Sequence, residues 1–189
     1  EISACLVGSE MCIRDSNLVK TKEIVALAHA QGISVEAEVG SIGGEEDGIV
    51  GAGELADVEE AKTLAATGVD YLAVGIGNIH GVYPENWKGL NFDRLQELAD
   101  AIDTPLVLHG GSGIPKEQIV KAISMGISKV NVNTEQQIAW SEAVRKYYEE
   151  DNDKKPKGFD PRKVLASGTE AIKNTVKERI EWFNTPSMW

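Results

Sequence analysis

Positive charge is in short supply along this chain: 19 lysines and arginines stand against 30 aspartates and glutamates, for a net charge of −11. That balance excludes nucleic acid and anionic membrane surfaces as the main partners, because both repel an acidic protein. An anionic ligand must therefore be gripped by local backbone amides or by a metal ion. No apolar run approaches the roughly 18 residues needed to cross a bilayer, so no segment reads as a membrane span. Cysteine is equally sparse. Cys5 and Cys12 lie far from the histidines, lack CxxC spacing and would close only a small loop as a disulfide. A basic n-region followed by a long apolar core is missing too, so the expected location is a reducing, cytoplasmic one.

What is present suffices for one sizeable domain. The 189 residues are 42% hydrophobic and 26% charged, an ordinary globular balance. From Asn17 onward, helix and strand patterns alternate. Helices are expected over 20–30, 57–67, 91–102, 116–125, 135–149 and, opened by Asp160-Pro161, from 161 to about 183. Strands are expected over 34–39, 71–76, 105–108 and 129–132, with a glycine-rich, acidic and mobile loop over 40–53. Four βα units in series with a last helix fit an α/β protein with parallel strands, either doubly wound or part of a (β/α)8 TIM barrel. The barrel is preferred. GIGNIHG puts His80 where a dinucleotide fingerprint needs glycine, and GGSGI puts Ile114 where a nucleophile elbow needs it. Residues 1–16, EISACLVGSEMCIRDS, do not share this rhythm and read as a leader foreign to the domain, leaving 17–189 as the domain proper.

The chemistry gathers at strand ends. YLAVGIGNIHG and TPLVLHGGSGIP each run from an apolar stretch to a histidine, His80 and His109, with glycine at once behind it. Glu38 ends a third strand. Two imidazoles and a carboxylate are the usual donors for zinc or a similar divalent ion. His29, within the first helix, reads as structural. Gly110, Gly111 and Ser112 precede a helix and have the makings of an anion cradle; Asn131, Val132, Asn133 and Thr134 offer further donors at the next helix start.

Taken together, the words VEAEVGSIGGEEDG, LAVGIGNIHGVY, PLVLHGGSGIP, KVNVNTE and FDPRKVL resemble the C-terminal half of the class II, metal-dependent fructose-bisphosphate aldolases and their tagatose-bisphosphate relatives. The resemblance implies a (β/α)8 barrel, a homo-oligomer and zinc held by His80 and His109, with Glu38 at a neighbouring metal position and a monovalent cation such as Na⁺ or K⁺ as a companion. It implies a phosphate site for dihydroxyacetone phosphate at Gly81, Gly110–Ser112 and Asn131–Thr134, and a proton-moving role for Glu46. The implied reaction is reversible cleavage of fructose 1,6-bisphosphate in glycolysis, with tagatose bisphosphate as the alternative substrate. The family's HLDHG-like motif, source of a third zinc histidine and a proton-transferring aspartate, does not occur in this sequence. The chain by itself is therefore expected to show no more than trace activity. A rival reading is a metal-free module that binds sugar phosphates without catalysis.

Overall fold

The computed structural model describes residues 11–46, 49–51 and 53–184, with the backbone alone for residues 11–16, 45, 46 and 49–51. Its elements run α1 (Met11–His29), β1 (Glu36–Val39), β2 (Gly43–Glu46), β3 (Ile49–Gly51), α2 (Val58–Ala65), β4 (Tyr71–Val74) and β5 (Ile79–His80). They continue with α3 (Phe92–Ala101), β6 (Leu106–Leu108), α4 (Lys116–Ser124), β7 (Ile127–Val130), α5 (Thr134–Glu149) and α6 (Pro161–Trp182).

The main sheet is parallel throughout, in the order β1-β4-β6-β7, and α2, α3 and α4 are the crossovers between its neighbouring strands. This is a mixed α/β fold. Strand alternation divides the sheet into two unlike faces. Val39, Leu72, Val74, Leu106 and Leu108 join Leu95 and Leu98 of α3 and Ile119 and Ala122 of α4 in the buried core. The register row Glu38, Ala73, Val107 and Lys129 belongs to the other face. There Lys129 Nζ meets Glu36 Oε2 at 2.7 Å, joining the two outer strands of the sheet.

Local chemistry sets the helix ends. Asp57 accepts from the N–H groups of Glu59 and Glu60 at the start of α2, and Asn91 from Arg94 at the start of α3. Asp160 caps α6, with Pro161 at its first turn. The carboxylate of Asp70 binds Val35 N–H at 2.7 Å and His29 Nε2 at 2.9 Å, so His29 pins the end of α1 to the sheet. Helices α5 and α6 pack where Gly168 lets the Trp140 indole in: a Cβ at 168 would lie 2.2 Å from that ring. Among the described residues no helix is long and apolar enough to cross a membrane.

Four expectations differ from what is observed. Within the segment 40–53, β2 pairs antiparallel with β3, and β2 also pairs in parallel with β5. Its glycines and acids carry no strand signal; the pairing is tertiary, which overrides propensity. Strand β4 ends at Val74, so His80 arrives on the separate two-residue β5. The last strand of the sheet lies two residues earlier than expected, directly after Gly126 (φ +116°). Finally, α1 begins at Met11, before the helix start expected at 20, while residues 1–10 lie outside the described residues.

Leu98 is fully buried and Leu165 is 51% exposed. Leu98→Ala is expected to lower unfolding stability by about 2–5 kcal/mol and Leu165→Ala by under about 0.5 kcal/mol, measured by urea denaturation.

Candidate metal centre and anion cleft

Two side chains, Asn78 and Tyr83, frame the site through hydrogen bonds to backbone groups. Asn78, 1% exposed, accepts from Ile76 N–H at 2.8 Å and donates to the carbonyl of His109 at 3.0 Å. Tyr83 accepts from Ile79 N–H at 3.0 Å, and its hydroxyl donates to the Gly110 carbonyl at 2.9 Å. Burial pushes the phenol of Tyr83 up to about 12, against the smaller opposing effect of the Ile79 N–H, so it stays a donor at neutral pH. These two side chains tie the segment carrying His80 to the segment carrying His109. Gly110, at φ +63°, completes the junction, because a Cβ there would lie 1.9 Å from the Ile79 carbonyl. Glycine is required by both the left-handed backbone and the close approach.

Glu38, His80 and His109 are brought together: one ligand atom from each lies within 4.8 Å of the others. The ring centroids of the two histidines are 5.8 Å apart. His109 is held from both sides, Nδ1 at 3.2 Å from Glu38 Oε2 and Nε2 at 2.9 Å from Glu36 Oε1. Burial alone would lower the imidazole's pKa; the hydrogen bonds to Glu36 and Glu38 outweigh it and push the value up to about 9. The carboxyl of Glu36 is correspondingly lowered, first by His109 and then by Lys129, against its own desolvation. Donors for one tetrahedral zinc ion sit roughly 3.3 Å apart, given bonds near 2 Å. Two imidazoles and a carboxylate already within 4.8 Å fit such an ion with shifts of about an ångström.

Beside this cluster a cleft of about 210 Å³ is lined by Gly81, Val82, Tyr83, Ser112, Gly113, Thr134, Glu135 and Ile138. Of the residues expected to cradle an anion, Gly81, Ser112 and Thr134 line it. Gly110, Gly111, Asn131, Val132 and Asn133 do not. Gly111 donates to the Asn131 carbonyl and Asn131 to that of Leu108, both at 2.9 Å, locking the two segments together. The Ser112 hydroxyl accepts from Asn133 N–H at 3.1 Å and Glu135 N–H at 3.3 Å, so it caps α5 from a neighbouring loop. Glu46 lies in β2, and its side chain lies outside the described residues.

Glu36, Lys129, Asn78 and Tyr83 are missing from the expected set. The alternation of SVEAEV carries the signal for Glu36, since period two puts 36 and 38 on one face. Nothing local marks the other three.

Two imidazoles and a carboxylate clustered this way, beside a small and largely apolar cleft, make a candidate metal site. Comparison with known proteins supplies the family. Residues 5–187 match the family described as fructose-bisphosphate aldolase class-II. The chain is 58% identical over 185 residues to the fructose-bisphosphate aldolase of Streptococcus pneumoniae serotype 4 (strain ATCC BAA-334 / TIGR4), covering 94% of this chain and 62% of that protein. It is 56% identical over 184 residues to the fructose-bisphosphate aldolase of Streptococcus pyogenes serotype M1, with the same coverage. The crystal structure of the YdjI aldolase from Escherichia coli K12 superposes with a TM-score of 0.72 at 36% identity, over 90% of this chain and 56% of that one. The chain belongs to the class II fructose-bisphosphate aldolase family, and it spans about 62% of the length of the curated relatives it matches.

Asn78→Ala would leave the Ile76 N–H and the His109 carbonyl without their partner. The expected cost is about 1–3 kcal/mol per unpaired group. Asn86→Ala, at an exposed position, is expected to change stability by under about 0.5 kcal/mol. Urea unfolding of the two variants measures the difference.

Proposed function

We propose that these residues form a zinc-binding share of an aldolase site that cleaves fructose 1,6-bisphosphate reversibly to dihydroxyacetone phosphate and glyceraldehyde 3-phosphate. The observation that carries this reading is the convergence of Glu38, His80 and His109 within 4.8 Å of one another, beside the cleft of Ser112 and Thr134. His80, His109 and Glu38 would hold the ion, which when bound supplies Lewis-acid polarisation of the substrate oxygens. Glu36 fixes the orientation of His109 through Nε2, the part an outer carboxylate plays behind a metal-bound imidazole. Gly81, Ser112 and Thr134 receive the phosphate, and Gly110, Gly111 and the 131–133 segment keep that receptor in shape.

Glu46 moves the carbon-bound proton in this reading. Support comes from the register of β2 on β5: Gly44 pairs with His80, and Glu46 is two residues further along the same strand. Closure of the β2–β3 pair over the site would also exclude water.

The parallel sheet is read as part of a (β/α)8 barrel. Sequential strand order, charged Glu36 and Lys129 meeting on the face away from the helices, and outer strands β1 and β7 each pairing on one side only among the described residues favour it. The HLDHG-like motif that the family resemblance puts in the same site is not in this sequence, so catalysis needs groups beyond these 189 residues.

The purified chain is expected to bind zinc, to lose it on His80→Ala or His109→Ala, and to give no more than trace cleavage of fructose 1,6-bisphosphate. Joined to a family segment bearing HLDHG, it should gain cleavage that His80→Ala lowers at least about 100-fold. Metal analysis and a coupled assay measure both. Unchanged zinc in both histidine variants would sink the ligand assignment, and turnover by the chain alone at the level of the joined protein would sink the division of the site.

A further inference from the structure

An acidic residue is among those lining the cleft that the proposed function gives to a phosphate dianion. Glu135 stands there next to Ser112, Gly113 and Thr134. Its N–H donates to the Ser112 hydroxyl at 3.3 Å, and its Oε2 lies 3.4 Å from the Gly113 N–H. Left alone, a charge in that position would repel the ligand, because two like charges a few ångströms apart in a partly desolvated cleft interact strongly.

The charge is not left alone. Arg179 reaches from α6, near the far end of the sequence, and grips both carboxylate oxygens of Glu135: Nε on Oε1, and Nη2 on Oε2 at 2.6 Å. Both side chains are largely buried, 15% and 16% exposed. The guanidinium lies 3.5 Å over the ring of Trp182, which fixes its plane. Its Nη1 is buried without a hydrogen-bond partner, 3.4 Å from a Glu178 carboxylate oxygen. Arg179 thus grips Glu135 with two of its five N–H donors and lies within ion-pair distance of the more exposed Glu178.

We propose that Arg179 is a positioning residue for the phosphate cleft, neutralising Glu135 and holding it on the Gly113 turn so that the cleft accepts an anion. The inference rests on the reading of the cleft as a phosphate site. It gives α6 a part in binding that none of its residues plays by contact with the ligand. Arginine suits the task better than lysine, since the planar fork matches both carboxylate oxygens while keeping its charge.

The test measures inorganic phosphate affinity of the purified chain by calorimetry at fixed ionic strength, with circular dichroism and thermal midpoints as folding controls. Arg179→Met should weaken phosphate roughly tenfold. Adding Glu135→Gln to it should restore affinity to within about threefold of the unaltered chain, and Arg179→Lys should retain most of it. Glu135→Gln alone, with Arg179 present, should tighten phosphate about threefold; this variant keeps the test open if Arg179→Met fails to fold. A folded Arg179→Met chain with unchanged affinity overturns the inference. So does a double variant as weak as Arg179→Met, or a weakened Glu135→Gln. Failure of the unaltered chain to bind phosphate instead overturns the reading of the cleft itself.

Discussion

An imidazole held between two carboxylates is the constraint around which the polar face of this sheet is arranged. Glu36 and Glu38 share one face of β1 because strand side chains alternate, and they bind opposite nitrogens of His109. The ring therefore cannot rotate without losing one charged partner. Lys129 holds the free oxygen of Glu36, so the outermost strands of the sheet are joined through the same carboxylate that orients the histidine. Ala73 and Val107 share the register row between them, and compact side chains there leave the space that charged ones use. Burying ion pairs is costly unless every lone pair is used; in this network Glu36 spends one oxygen on His109 and the other on Lys129.

The helices and main strands were legible because their periodicity and caps agree. Asp57, Asn91 and Asp160 mark helix starts in the sequence and accept the N–H groups expected of them. His80 and His109 were legible as candidate donors because each follows an apolar stretch, and Glu38 because it stands near the tip of an alternating strand. The pairing of β2 with β3 was not, since glycine and glutamate report no preference for the strand that docking on β5 imposes. The residues expected to cradle a phosphate divide for a related reason. Their glycines announce an unusual backbone, but whether a given amide faces a ligand or a neighbouring carbonyl is decided by another segment. Gly111 is bonded to Asn131, whereas Ser112 lines the cleft. Asn78 and Tyr83 join parts of the chain about 30 residues apart, a relation no local pattern encodes.

Identity of 54–58% to curated fructose-bisphosphate aldolases fixes the family, while the clustering of Glu38, His80 and His109 gives this chain a candidate metal site. What the family relation does not supply is the division of labour behind the contacting residues. That comes from distances: Glu36 behind His109, Asn78 behind both histidine segments, and α6 behind the cleft.

Bare backbone flanks the two-residue strand that carries His80. A Cβ on Gly44 would lie 2.1 Å from the His80 carbonyl, and one on Gly110 would strike the carbonyl of Ile79. With main chain wedged on either flank, no rotamer adjustment is available to absorb an added methyl at either glycine. A methyl at either glycine therefore has to be met by displacement of main chain itself, so this seam tolerates no side chain without a shift of whole segments.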